Sequence, residues 1–107
     1  MDTKTLPACP VETTLAVIGS RWAVLILRDL LTGTKRFSEL KRSVGHISQK
    51  VLTANLRAME ARGLLTRIVY PEVPPRVEYT LTAAGESLRP VLEALAAWGE
   101  GYQAAHR

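Results

Sequence analysis

The residues with the clearest chemical content lie between Ser48 and Arg62, in SQKVLTANLRAMEAR. At 100° per residue, Lys50, Thr53, Ala54 and Arg57 fall on one side of a helix. That side carries two cations, a hydroxyl and a small residue, and no acid. A solvated helix face usually mixes signs, so this face suits an anionic partner, and we read it as a DNA recognition helix; the competing reading is an ordinary solvated face. Gln49, Lys50, Thr53 and Arg57 are the candidates for base readout. Glutamine matches the adenine edge, lysine or arginine matches guanine, and a threonine methyl matches that of thymine. Arg57 also suits a phosphate. Ser48 and Gln49 stand where the free N–H groups and the dipole of a helix start favour a phosphate or a base edge.

Six further cations are candidate phosphate contacts, which position a protein on DNA without reading sequence. They are Lys35, Arg36, Lys41, Arg42, Arg67 and Arg76. From Gly33 to Arg76 there are nine cations against three acids, a net of +6, which leaves −2 for the rest of a chain whose total is +4. Clustered positive charge of this kind is the electrostatic footprint of nucleic-acid binding.

Cys9 is the only cysteine, which excludes an intramolecular disulfide and a cysteine-rich zinc site. It precedes Pro10 at a helix start, where the dipole favours negative charge on sulfur. Two readings stay open: a redox or electrophile sensor, or a packed, inert thiol. His46 and His106 have no partner at metal-ligand spacing. With one cysteine, two scattered histidines and no glycine-rich phosphate loop, there is no constellation for catalysis. The chain is read as a non-enzyme, with no cofactor and no metal.

These residues need elements to hold them. A chain of 107 residues, 47% apolar and 22% charged, supports one globular domain with a real core. It has no apolar run long enough to span a membrane and no signal-peptide pattern at its start, so a cytoplasmic protein is expected. Residues 1–8 are expected to be loose and 9–107 to form the domain.

Cys9-Pro10 opens a short helix that Gly19 ends. Ser20 caps the next, RWAVLILRDLL, which is apolar almost all round and so buried. Ser38 is read as the cap of a short helix to Ser43. Val44-Gly45-His46-Ile47 is a tight turn. Ser48 then caps the recognition helix, with Leu52, Leu56 and Met59 as its buried stripe and Gly63 as its stop. Short helix, turn and amphipathic helix form a helix-turn-helix. After Gly63 the period changes to two. Leu65–Tyr70 and Val77–Leu81 read as antiparallel strands, joined by Pro71-Glu72-Val73-Pro74-Pro75-Arg76, whose three prolines stiffen the tip. A hairpin directly after a recognition helix is a wing. The fold class is therefore mainly α with a small antiparallel β-hairpin, a winged helix-turn-helix.

Thr82 is read as the cap of a last helix, 83–104, which Pro90 should bend. Leu88, Val91, Leu95, Trp98 and Tyr102, with Leu92 beside them, form a coiled-coil-like stripe. A domain this small has little core left to cover it. A homodimer joined through this helix is expected, against the alternative that the stripe packs on its own domain. Trp22 and Tyr79 are expected in the core.

With these pieces in place, the sequence resembles the HxlR-type family of winged helix-turn-helix regulators. The matching residues are Cys9-Pro10, Ile18-Gly19 with Trp22, Arg36-Phe37 with Glu39-Leu40, Ile47 to Leu52, Gly63-Leu64, Pro74 to Tyr79, Leu81-Thr82 with Gly85, and Trp98. The resemblance covers about Cys9 to Trp98. It implies a dimeric transcription factor that binds double-stranded DNA, with the second helix of the motif in the major groove, the hairpin as wing and the terminal helices joining two copies. Some members resemble redox or electrophile sensors with a cysteine at the position of Cys9, so an oxidant or small-molecule effector is a further expected partner. One departure is Ser20-Arg21, where a Gly-Lys pair is more usual; the expectation is that it lies in the core and leaves DNA binding untouched. The alternatives carried forward are a winged-helix protein-interaction module, which the +6 segment disfavours, and a regulator gated by a small ligand between the dimer helices.

Overall fold

A computed structural model describes residues 6–107. Of the segment expected to be loose, residues 1–5 lie outside the described residues. The elements are α1 (Pro10–Ile18), α2 (Arg21–Leu30), β1 (Lys35–Arg36), α3 (Phe37–Val44), α4 (Gln49–Ala61), β2 (Leu65–Tyr70), β3 (Arg76–Leu81), α5 (Ala83–Glu86) and α6 (Arg89–His106).

The apolar run of α2 becomes the pillar of the core. Ala23, Ile26, Leu27 and Leu30 are buried, and α2 meets α3, α4 and β3. Leu40 from α3, Leu52, Leu56 and Met59 from α4, and Leu65 and Tyr79 from the sheet close around it. Each such side chain contributes about 1.5–3 kcal/mol when removed from water. Trp22 packs at the margin of this core rather than inside it. Asp29 is buried on the same helix, where its Oδ1 accepts from Arg28 Nε at 3.0 Å.

The helix-turn-helix follows from local signals. Ser48 caps α4 by accepting from the Val51 amide at 3.1 Å. Gly45 turns the chain at φ 97° and Gly63 at φ 76°, a region that disfavours any residue with a Cβ. Ser38 does not cap α3. The helix begins at Phe37 with Arg36 as its cap residue, two positions before Ser38, and the Glu39 carboxylate accepts from the Arg36 amide at 2.9 Å. An acid at the third helical position reaches back to the amide of the cap residue itself, the glutamate half of a capping box.

The hairpin is present in the register Leu65↔Leu81 to Tyr70↔Arg76. It belongs to a three-stranded antiparallel sheet of order β1-β3-β2, in which Lys35 and Arg36 pair with Tyr79 and Glu78. This third strand was not expected, because two residues are too short to show an alternation.

Thr82 locks the sheet to the end of α4. Its hydroxyl donates to the Gly63 carbonyl at 2.6 Å and accepts from the Gly85 amide at 3.2 Å. Gly85 is buried so close to Leu64 that an added Cβ would overlap the Leu64 carbonyl oxygen. The paired motifs Gly63-Leu64 and Leu81-Thr82-x-x-Gly85 are thus two sides of one joint.

The single bent helix expected from 83 to 104 is two helices. Pro90 lies in the first turn of α6, where a missing N–H costs nothing and a fixed φ is an advantage, so it starts a helix instead of bending one. Arg89 holds that start by donating to the Leu31 carbonyl at 3.0 Å and to Glu86 at 2.9 Å. The expected interface stripe divides. Leu92 is buried, and Leu88 and Val91 pack half-buried against the core. Leu95, Trp98 and Tyr102 are 52%, 72% and 52% exposed.

Candidate nucleic-acid interface

The two sides of α4 separate as its sequence requires. Leu52, Leu56 and Met59 are buried, while Gln49, Lys50, Ala54 and Arg57 are exposed and Thr53 is half-exposed. From Gln49 to Arg57 the outer face carries Lys50 and Arg57 with no carboxylate. Ser48 is exposed at the helix start, and His46 is exposed in the turn before it.

The sheet brings Arg67 alongside. Gln49, Thr53 and Arg57 of α4 line a cleft of about 200 Å³ together with Arg67 of β2 and the apolar floor of Phe37, Leu56, Val77 and Tyr79. Glu60 lines the same cleft, so the acid-free surface ends one turn beyond Arg57. Lys41 and Arg42 are exposed in the last turn of α3. Lys35 is half-buried in β1, and Arg36 is exposed beside it. Arg36 and Arg76 line a second groove, between the start of α3 and the wing residues Glu72 to Pro75.

Arg76 differs from the other cations. Its guanidinium is 3.3 Å from the Glu72 carboxylate and 3.8 Å from that of Glu78. It also lies 4.0 Å from the centre of the Tyr70 ring. Two acids offset its charge, and a stacked guanidinium is held in place. It braces the wing, and among the described residues it is the one candidate phosphate contact held in ion pairs. The wing tip itself presents Val73, fully exposed, between prolines and Glu72. Of the two arginines that flank the wing, Arg67 is exposed and engaged in no ion pair among the described residues.

One residue of α4, Asn55, carries no reading in the sequence, and two others, Ser20 and Arg62, gain partners that the sequence does not show. Asn55 sits mid-helix, where asparagine is a poor helix former, and that was the available signal. Its Nδ2 donates to the Val51 carbonyl at 2.9 Å, and its Oδ1 accepts from the Ser20 hydroxyl at 2.6 Å. Ser20 is therefore not a core residue, and the expectation that Ser20-Arg21 lies in the core is corrected. Ser20 is half-buried at the start of α2 and touches α4. Arg21 is exposed, 4.5 Å from the Trp22 ring centre. Arg62, at the end of α4, turns away from the basic face. Its guanidinium lies on Gly19, where an added Cβ would come within 2.8 Å of Nη1.

Cys9 is exposed at the N-cap of α1, and its carbonyl accepts from the Thr13 amide at 3.0 Å. Among the described residues no group of three or more histidine, cysteine or acidic side chains could hold a metal ion, and no single helix is long and apolar enough to cross a membrane.

Known proteins share this fold. The chain is 50% identical over 97 residues to the uncharacterized HTH-type transcriptional regulator YkvN of Bacillus subtilis, covering 91% of this chain and 81% of YkvN. The crystal structure of a putative HTH-type transcriptional regulator, ytcD, superposes with a TM-score of 0.82 at 51% identity, covering 88% of this chain and 96% of that one. The redox regulator HypR in its oxidized form superposes with a TM-score of 0.81 at 45% identity, covering 87% and 96%. The model of the HxlR-like helix-turn-helix family matches residues 17–107. On its sequence and its winged-helix fold alike, the chain belongs to the HxlR-like helix-turn-helix family and is a transcriptional regulator of that type.

Proposed function

We propose that the protein is a homodimeric, sequence-specific regulator that binds palindromic double-stranded DNA through α4. The observation that carries this reading is the outer face of α4: Gln49, Lys50, Thr53 and Arg57 share one surface, with Thr53 half-exposed and no acid on the helix before Glu60. Lysine and arginine there pair with guanine, glutamine with adenine, and the Thr53 methyl with thymine. Ser48, Lys35, Arg36, Lys41, Arg42 and Arg67 hold phosphates around it and fix the register. Arg76 supports the wing without contributing a free charge.

The second copy is assigned to α6. Leu95, Trp98 and Tyr102 form an apolar strip that the domain leaves uncovered, with the rings of Trp98 and Tyr102 stacked 5.2 Å apart. A two-fold dimer reads half-sites about one helical turn apart. Redox control through Cys9 is part of the proposal. The thiol is exposed at a helix start, and a close structural relative, HypR, is described as a redox regulator.

The test is selection from random duplex DNA with the purified protein, repeated with oxidant. An enriched palindrome is expected, with Lys50→Ala and Arg57→Ala each weakening its binding while the protein stays folded. If both variants bind the selected duplex as the wild type does, α4 does not read the bases. No enrichment under either condition would favour a protein-interaction module or a required small ligand.

A further inference from the structure

The recognition helix is seated on the α1–α2 corner at two points, one near its middle and one at its end. Near its middle, the geometry fixes the Asn55 amide. Its nitrogen faces the Val51 carbonyl and can only donate there, so its oxygen must face Ser20. The Ser20 hydroxyl has one proton, which it gives to Asn55. Its oxygen accepts from the Ala23 amide at 3.2 Å, which caps α2. One hydroxyl therefore joins the start of α2 to α4. At the far end, the Arg62 guanidinium rests on Gly19, the residue that ends α1 at φ 83°. The position favours a cation, because the C-terminal end of a helix is its negative end. Gly19 has no Cβ, and that leaves the guanidinium its room.

We propose that Ser20, Asn55 and Arg62 are positioning residues for DNA reading: they set the angle at which α4 presents Gln49, Lys50, Thr53 and Arg57. The proposal rests on the assignment of that face to base contacts. Base readout demands closer placement than phosphate contact, since a side-chain fork must meet a base edge in register while a phosphate tolerates a shifted cation. Loosening the corner should therefore cost specificity before it costs general affinity.

Ser20→Gly is the informative variant: it removes the link to Asn55 together with the bond from the Ala23 amide, and loss of the latter costs little because glycine is nearly as good a cap as serine. Asn55→Ala breaks the same link from the other side. Binding is measured on the selected duplex and on a scrambled duplex over a range of salt, alongside thermal unfolding. For Ser20→Gly and Asn55→Ala the ratio of the two affinities is expected to fall about fivefold, the worth of one net hydrogen bond. The salt dependence should be unchanged, because the phosphate contacts remain. Ser20→Thr, which keeps the hydroxyl, restores the ratio. Arg62→Ala is expected to lower the ratio in the same way, with the same salt dependence; a loss of salt dependence instead would make Arg62 a phosphate contact and remove it from the proposal. If Lys50→Ala and Arg57→Ala weaken selective binding while Ser20→Gly and Asn55→Ala keep the wild-type ratio, the positioning role is wrong and the reading of α4 survives. If Lys50→Ala and Arg57→Ala change nothing, that reading fails and the positioning role falls with it. A drop in melting temperature with an unaltered ratio would reduce the link to a purely structural contact.

Discussion

The guanidinium of Arg76 lies over the ring of Tyr70, 4.0 Å from its centre, across the open end of the hairpin. The two residues are register partners in β2 and β3, so the stack closes the base of the wing tip, with Glu72 and Glu78 neutralising the charge. Arg67, three residues before Tyr70 on the same strand, is exposed. The two arginines should therefore separate in experiment. Arg67→Ala is expected to weaken binding to all duplexes and to lower the slope of log affinity against log salt by about one. Arg76→Ala should leave that slope as it is and lower stability by about 1 kcal/mol, through loss of the stack and of partly exposed ion pairs. Equal loss of salt dependence in both would show that Arg76 leaves its carboxylates for a phosphate.

Gly85 offers a sharper test of the joint between the sheet and α4. Its conformation is ordinary, so an alanine there is limited only by space, and its Cβ would meet the Leu64 carbonyl and the Leu81 side chain. Backbone cannot step aside as a flexible side chain does. Gly85→Ala is expected to destabilise the fold by about 1–3 kcal/mol, read as a lowered denaturant midpoint with an unchanged slope. Wild-type stability would mean that the Thr82–Gly63 link is not tightly set.

What the sequence made legible was mostly periodic. The stripe Leu52, Leu56, Met59 and the alternation from Val77 to Leu81 required no structure to read, because a period of 3.6 marks one face of a helix and a period of 2 one face of a strand. The two-residue strand Lys35–Arg36 was not legible, since pairing with Tyr79 and Glu78 is a tertiary event. Pro90 reads as a bend in the sequence because its effect depends on where the helix begins, and a break at Ser87-Leu88 leaves no pattern of its own. The cations were legible as a group but not singly. Composition cannot distinguish Arg57, exposed on α4, from Arg76, held by two acids, or from Arg62, resting on Gly19. The place of Ser20 is hidden for the same reason: its partner, Asn55, lies 35 residues away in the chain.

The divided stripe of α6 predicts two kinds of variant. Leu92 is buried in the domain core, so Leu92→Ala should cost about 2–5 kcal/mol of stability. Leu95 and Trp98 are exposed in the single chain, so Leu95→Glu and Trp98→Ala should leave its fold intact and shift light scattering from dimer to monomer. Operator binding should fall with dimerisation, because one half-site then binds without its neighbour. A monomeric wild type at micromolar concentration would remove the dimer from the proposal.

Cys9 stands at the N-cap of α1. The thiol is exposed and forms no side-chain cap on α1, so oxidising it disrupts no packing of its own domain. Treatment with diamide should couple two Cys9 thiols, one from each copy, into a disulfide, the two hydrogens passing to the azo compound, or should join Cys9 to a small thiol when one is present. Non-reducing electrophoresis and intact mass distinguish these products. Affinity for the selected duplex is expected to change by about tenfold on oxidation, a coupling of ordinary allosteric size, and to return with dithiothreitol. Cys9→Ser should bind as the reduced protein does under both conditions. Should the wild type be fully oxidised with its DNA affinity unaltered, the cysteine is a helix-start residue and the regulator responds to something else.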